Sequence, residues 1–469
     1  MSDLSALELA IEKALNAFAD FMWSTPLVVL LVGGGLYFAI HSRLRPYRYL
    51  GHSIALLRGR YDNPDDPGQV SHAQALSTAL SGTLGLGNIA GVAIAIGVGG
   101  PGAVFWMWVT AIIGVATKFY TASLAVMYRG HDSAGVLQGG PMYVIREGLG
   151  PRWYPLAALF CVAGLIGALP LFQVNQTVQL LRDVVAVPAG WAAADDHLWF
   201  DLLSSGVIAG LVIAVVLGRI QRIGKVTVRL VPSMVFFYLL LTLMVLLRHW
   251  SEVPAMLWLI ISDAFSGDAV AGGAIGTVIM IGVRRGAFSN EAGIGTESLA
   301  HGAAKTQQPI REGVVAMAGP VIDTLIVCTC TALIILLTGV WRVAGEVQGV
   351  SLTAQAIEQV FPGTGQYLLL IMVALLSFST MVTYWFYGVK CVGFLVGARY
   401  QHFYTPVYAI CIVLGAVVSM DLVNGLIVGM YAVMAIPTML STFMLAGSVR
   451  DAATGYFASL SQQNDQERR

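Results

Sequence analysis

Ser81-Gly82-Thr83-Leu84-Gly85-Leu86-Gly87-Asn88-Ile89-Ala90-Gly91 is the stretch that decides how this chain folds. It lies within an apolar run yet carries four glycines. Each glycine costs a helix interior about 1 kcal/mol relative to alanine, so a regular helix cannot run through it. In lipid, the freed N–H and C=O groups need other partners: a carboxylate for the N–H groups, a cation for the carbonyls. A related string, Ser289-Asn290-Glu291-Ala292-Gly293, repeats Asn-x-Ala-Gly 202 residues further on. Gly-interrupted helices at matching positions in two halves point to a transporter's binding site. The alternative is that the glycines only permit close helix packing. Thr83 and Asn88 in the same stretch weigh against that. Ahead of the second string stand Arg284 and Arg285. Near mid-span each arginine costs about 2.5–3.5 kcal/mol, so both must reach water, an acid or a helix end.

Outward from these strings the composition agrees. The chain has 469 residues, 57% hydrophobic and 11% charged, against about 25% charged in a soluble domain. Fifty-two glycines suit close helix approach in a lipid bilayer. Net charge is zero, which points to no nucleic acid. The five cysteines, Cys161, Cys328, Cys330, Cys391 and Cys411, all lie in apolar runs and read as small buried hydrophobes. Residues 1–20 carry several acids and no basic leader, and read as a short amphipathic helix before the first span rather than a signal peptide.

About eleven spans are expected: a leading one at 22–41, then 75–97, 102–128, 154–180, 201–218, 230–248, 271–298, 313–341, 366–389, 403–420 and 423–447. Their connections carry nineteen Lys and Arg on one side and four on the other. The positive-inside rule therefore puts the N-terminus outside and the C-terminus in the cytoplasm. After the leading span the helices divide five and five. Five is odd, so the halves insert with opposite topology. The expected organisation is 1–71 (amphipathic segment, leading helix, connection), 72–250 and 271–447 (two five-helix repeats) and 448–469 (cytoplasmic polar tail).

Specific blocks carry a family resemblance. Gly99 to Gly114 (GGPGAVFWMWVTAIIG), Gly286 to Gly295 (GAFSNEAGIG), Ala300 to Thr306 (AHGAAKT) and Ile322 to Trp341 (IDTLIVCTCTALIILLTGVW) are similar to blocks of the alanine/glycine:cation symporter family, the sodium:alanine symporters. The resemblance covers essentially residues 22–447. It implies an all-α LeuT-type 5+5 inverted repeat behind one extra helix. It also implies Na⁺-coupled uptake of a small neutral amino acid, alanine or glycine, by alternating access across a bacterial or archaeal inner membrane. A monomer is expected.

Candidate site residues follow. Gly82, Thr83, Gly85 and Asn88 of the first broken helix, and Phe288 and Ser289 of the second, are expected to meet the substrate. Gln173, in Gln173-Val174-Asn175, matches a family block, and a buried amide can pair with either end of an amino acid; interhelical packing is the alternative, and for Asn175 the two stay even. Ser379 and Thr380, two hydroxyls beside the carbonyls of Ala79 and Gly82, make a mostly neutral oxygen site suited to Na⁺. Their alternative is back-bonding to carbonyls one turn earlier. Tyr384, one turn beyond Thr380, is expected to close the pocket. The family usually has Gly-Trp where this chain has Thr383-Tyr384, and Glu at Val389, so a larger or more polar substrate stays open, as does a one-residue shift that gives the role to Trp385.

Asp323, Glu291 and Glu297 are acids in or near spans; Asp323 is expected to pair with Arg284 or Arg285. Lys118 is expected to snorkel or pair, and Trp106 and Trp108 to act as packing and interface anchors. The histidines sit at span ends or in connections, and neither HExxH nor GxSxG occurs. That weighs against an enzyme. An internal inverted repeat weighs against a channel. Proton coupling is the remaining rival to Na⁺.

Overall fold

The computed structural model describes residues 2–193, 196–265, 274–342 and 349–467. The described residues are almost wholly helical. We number the main helices α1 (Ser2–Met22), α2 (Thr25–His41), α3 (His72–Thr83), α4 (Ala90–Gly99) and α5 (Gly102–Met127). A two-stranded hairpin follows, β1 (Gly130–His131) with β2 (Leu137–Gln138). Next come α6 (Tyr154–Gly167), α7 (Leu171–Leu181), α8 (Leu198–Val216), α9 (Arg219–Arg248) and α10 (Val253–Asp263). The second half holds α11 (Ala274–Asn290), α12 (Thr296–His301), α13 (Pro309–Thr338) and α14 (Val350–Val360). It ends with α15 (Gly365–Leu395), α16 (Tyr404–Val417), α17 (Met420–Met444) and α18 (Ala446–Glu467).

Among the described residues seven helical runs are long and apolar enough to cross a membrane, α6 and α7 counting as one run over Pro151–Ala186, or nine when each of two bent pairs is one span. α11 and α16, of 17 and 14 residues, fall short of that length. Residues 271–273 of the expected seventh span lie outside the described residues. The bent pairs are α1 with α2, at 46°, and α3 with the run Leu86–Gly99, at 59°. The second bend falls on the quoted glycine stretch.

The burial of each span tells which faces lipid. Within its most apolar window α5 is 83% buried, whereas α8 is 28% and α9 33% buried. α8 and α9 expose Trp199, Leu203, Phe236 and Leu247 outward, as lipid-facing helices must. α5 packs against α11, α12 and α13, and α3 packs against α9, α12 and α15. α6, α7, α8, α15 and α16 form a second group. The two broken helices therefore lie between α5 and α15.

Two local devices fix where helices begin. Ser71 caps α3 by a reciprocal pair: Gln74 N donates to Ser71 Oγ at 3.3 Å and Ser71 N to Gln74 Oε1 at 3.0 Å. Ser419 Oγ likewise accepts from Leu422 N at the start of α17. The N-terminal helix precedes the leading span, and its packing adds what the sequence left unstated. It runs to Met22 and docks along α17. Gly425 and Gly429 provide its seat: a Cβ on Gly425 would stand 3.0 Å from Asn16 N, and one on Gly429 2.8 Å from the Phe18 ring. Trp23 Nε1 then donates to the Val428 carbonyl at 2.8 Å.

Candidate functional site between the broken helices

The two breaks have different backbones. Leu84, at φ −75° and ψ 79°, leaves the helix, Gly85 is extended, and a Cβ on Gly85 would lie 2.9 Å from Thr380 Oγ1. Glycine is therefore needed there for close approach. The second break turns through left-handed residues: Glu291 at φ 54°, Gly293 at 86° and Gly295 at 94°. Glu291 pays for that conformation with about 1–3 kcal/mol of strain.

Asn88 joins the breaks. Its amide nitrogen donates to Ser289 Oγ and to the Asp323 carbonyl, both at 3.0 Å, and its amide oxygen accepts from Gly85 N at 3.1 Å. Its own carbonyl accepts from Thr331 Oγ1 at 2.8 Å. Both breaks and α13 thus converge on one buried side chain. The matching Asn290 uses its oxygen on Ala292 N at 2.9 Å, while its buried Nδ2 has no partner.

α15 supplies the hydroxyls. Thr380 Oγ1 donates to the Ser81 carbonyl at 2.9 Å and lies 3.0 Å from the Leu376 carbonyl. Ser379 Oγ donates to the same Leu376 carbonyl at 2.8 Å. Ser81 Oγ reaches back to the Ser379 carbonyl at 2.7 Å. The carbonyl of the first broken helix beside Thr380 is thus that of Ser81, next to the expected Gly82 and two residues past Ala79. Gly82 instead faces Tyr387, whose hydroxyl is buried and without a partner; a Cβ there would lie 3.1 Å from it. Back-bonding to Leu376 is present together with the reach to Ser81. Two hydroxyls and two carbonyls form a neutral oxygen cluster of the kind hard cations take.

Around this cluster sit the other expected residues. Gln173 is buried, and its Oε1 has no partner among the described residues. The Phe172 ring beside it lies 6.0 Å from that of Phe288, and Phe288 lies 5.4 Å from Tyr431. Thr83 is buried at the last position of α3, directly before the break, its hydroxyl facing the Asp323 carboxyl. Tyr384 Oη donates to Glu291 Oε1 at 2.8 Å and bonds the Tyr431 hydroxyl, which lies 3.1 Å from the same oxygen. Thr296 Oγ1 holds the other oxygen of Glu291. Trp385 turns away: its Nε1 donates to Thr405 at 3.2 Å and its ring lines a separate cavity. Helical geometry predicts that divergence, since neighbours differ by about 100°. Asn175 packs, donating to the carbonyls of Gly415 and Val418 at 3.2 and 2.8 Å.

One pairing differs from expectation, and of the two courses expected of Lys118, snorkelling or pairing, the first is removed. Asp323 does not meet an arginine: Oδ1 accepts from Thr324 and Oδ2 is buried without a partner. Arg284 instead bonds Asp20 of α1 at 2.7 Å, because α1 docks beside it. Lys118 does not snorkel. It is 1% exposed and lies among Glu291, Asp323 and the close-packed Gly319. Glu297, held by Thr121 Oγ1 at 2.9 Å, is also fully buried. Two buried carboxyls, those of Glu291 and Asp323, therefore lie near one lysine, with Glu297 close to Glu291. Ser81, Leu376, Tyr387 and Tyr431 join the site unannounced. Ser81 lies inside the quoted stretch; no local signal marks the others.

Comparison with known proteins places this geometry. The profile of the sodium:alanine symporter family matches residues 8–469. The chain is 36% identical over 437 residues to the sodium/alanine symporter AgcS of Methanococcus maripaludis, covering 92% of this chain and 94% of that one. It is 32% identical to the probable sodium/glutamine symporter GlnT of Bacillus subtilis, over 95% of this chain and 91% of the other. The crystal structure of MhsT in complex with L-phenylalanine superposes with a TM-score of 0.57 at 12% identity, covering 82% of this chain and 98% of that one. That likeness shows a LeuT-type fold.

Proposed function

The chain belongs to the sodium:alanine symporter family, and within it we propose a Na⁺-driven importer of a small neutral amino acid, alanine or glycine, working by alternating access. It is a multi-pass membrane transporter that couples amino-acid movement to Na⁺, and not an enzyme. The observation that carries the proposal is the contact between α15 and the first break. There the hydroxyls of Ser379 and Thr380 meet the carbonyls of Ser81 and Leu376. A cation bound among them would bridge the two helix groups and tie ion occupancy to their closure. Gln173, with its orphaned buried Oε1, is suited to accept from the cargo's ammonium. Phe288 and Tyr384 are the apolar walls that limit side-chain size. The 5+5 repeat, an outside N-terminus and a cytoplasmic basic side belong to the same reading.

A specific observation supports a second reading, in which part of the coupling charge is a proton and the cargo is larger or more polar. Glu291 and Asp323 lie buried within reach of Lys118, and Glu297 lies buried near Glu291. Ionised acids in a dry core require compensating positive charge, from sodium or from protons. Uptake of a radiolabelled amino-acid panel into proteoliposomes separates the readings. Uptake of alanine or glycine that follows the Na⁺ gradient supports the first. Equal uptake in Na⁺-free buffer under a proton gradient would overturn it.

A further inference from the structure

α15 carries a polar stripe along one face: Thr380, Tyr384, Tyr387 and Lys390, spaced four, three and three residues apart. The first two reach the broken helices, as described. The last is a buried lysine, 4% exposed, at the basic end of the helix. Lys390 Nζ donates to the Leu299 carbonyl of α12 at 2.9 Å and to the Gly139 carbonyl beyond the hairpin at 3.0 Å. The Phe386 ring lies 5.0 Å from it. Among the described residues no carboxylate forms a salt bridge with it.

The strip that Lys390 holds, residues 296–306, is tied elsewhere by very different means. Arg129 donates to the carbonyls of Gly302 at 2.9 Å and of Thr306 and Pro67 at 3.1 Å, and also to that of Ala304. Burial pulls this guanidinium down only to about 10, so it stays charged. Glu312, fully buried, accepts from His301 Nδ1 at 2.6 Å through one oxygen and bonds His72 Nδ1 through the other. Backbone pairing adds Lys305 N to the Val70 carbonyl at 2.7 Å and Gln69 N to the Ala303 carbonyl at 2.8 Å. The strip and the entry to α3 are thus one body. Separating them would strand a buried carboxylate and a guanidinium.

Lys390 has an alternative that the fully buried Glu312 lacks. It lines a cavity of about 790 Å³, with Trp385, Val389, Asp132, Arg399 and His402. If the strip moves off, the ammonium exchanges two carbonyls for water, so release leaves no unsolvated charge. We propose that Lys390 is the releasable tether of the gate on the basic side: it holds the α12 strip, and the α3 entry clamped to it, against α15 until cargo leaves. Lys390 is then a positioning residue. The inference rests on the alternating-access reading above.

Hydrogen–deuterium exchange on the purified full-length protein tests it without any knowledge of the cargo. In Lys390→Met, amides of 296–306 and 64–72 should exchange together, faster by about tenfold or more. Those of α6 and α8 should stay unchanged, and Lys390→Arg should restore protection. Unchanged exchange in 296–306, in a Lys390→Met protein with wild-type melting, would overturn the tether. If Lys390→Met does not fold, Lys390→Gln is read the same way. In proteoliposomes the loosened gate should cut Na⁺-driven accumulation severalfold while cargo exchange persists. Parallel loss of both would mark the lysine as merely structural. Wild-type protein that lacks Na⁺-dependent uptake yet shows the exchange pattern would fault the proposed function and leave the tether standing.

Discussion

The two breaks do the same topological job with opposite chemistry. The first is made of glycine-rich backbone, extended at Gly85, and the Ser81 carbonyl just ahead of it is presented to α15. The second is made of left-handed residues and buries a carboxylate, Glu291, under three hydroxyls. A break can thus be built to expose carbonyls, which suits a cation, or to fix a charged side chain, which suits orientation of neighbours. Asn88, reaching from the first to the second, keeps the two in register.

Substitutions can break that contrast, and the largest effect is expected at the left-handed turn. Gly295→Ala puts a Cβ at φ 94° between Thr438 and Pro141. We expect a loss of about 3 kcal/mol or more, read as a lowered melting temperature in detergent. A wild-type melting temperature would show that the turn can reshape. Next, Glu291→Gln keeps volume but replaces one of the carboxyl oxygens that Thr296, Tyr384 and Tyr431 meet. We expect a loss of about 2–3 kcal/mol in transport, with expression retained. Equal uptake by the variant would make the carboxylate dispensable and erase the contrast.

The first break should respond more gently. Thr380→Ala removes the hydroxyl that reaches Ser81, whereas Ser379→Ala removes one bonded only to Leu376. Apparent Na⁺ affinity should fall about 5- to 150-fold in Thr380→Ala, corresponding to about 1–3 kcal/mol, and less in Ser379→Ala. An unchanged sodium dependence would reduce Thr380 to packing. Smallest is the pocket wall. Tyr384→Trp should shift preference toward glycine and alanine by about 1–3 kcal/mol without abolishing transport. Trp385→Ala should leave the ranking alone, because that ring faces Thr405. Competition with a series from glycine to leucine checks both.

The breaks were legible in the sequence because glycine, asparagine and hydroxyl residues are costly in a lipid-embedded helix and so stand out. The site's partnerships were not. Tyr431 lies 140 residues from the carboxylate it touches, on a helix with no motif around it. Asp323 was expected to find Arg284, but that arginine is taken by Asp20, a residue brought near only when α1 docks. Lys118 looks like a snorkelling lysine until α5 is seen to be the most buried of the long spans. The choice between Tyr384 and Trp385 needs the rotational phase of α15 against its neighbours, which alternating apolar residues do not specify. In each case the chain declares which residues are unusual, and long-range packing decides whom they meet.

The seat of α1 on Gly425 and Gly429 also has a consequence in time. Trp23 and its acceptor Val428 are 405 residues apart, so at roughly 5–20 residues per second the first helix emerges about 20–80 s before its seat is made. During synthesis its apolar face must be sheltered by lipid or by the insertion machinery. Ribosomes stalled before α17 should therefore carry an N-terminal segment that proteases cut readily, and completion of the last span should be what protects it.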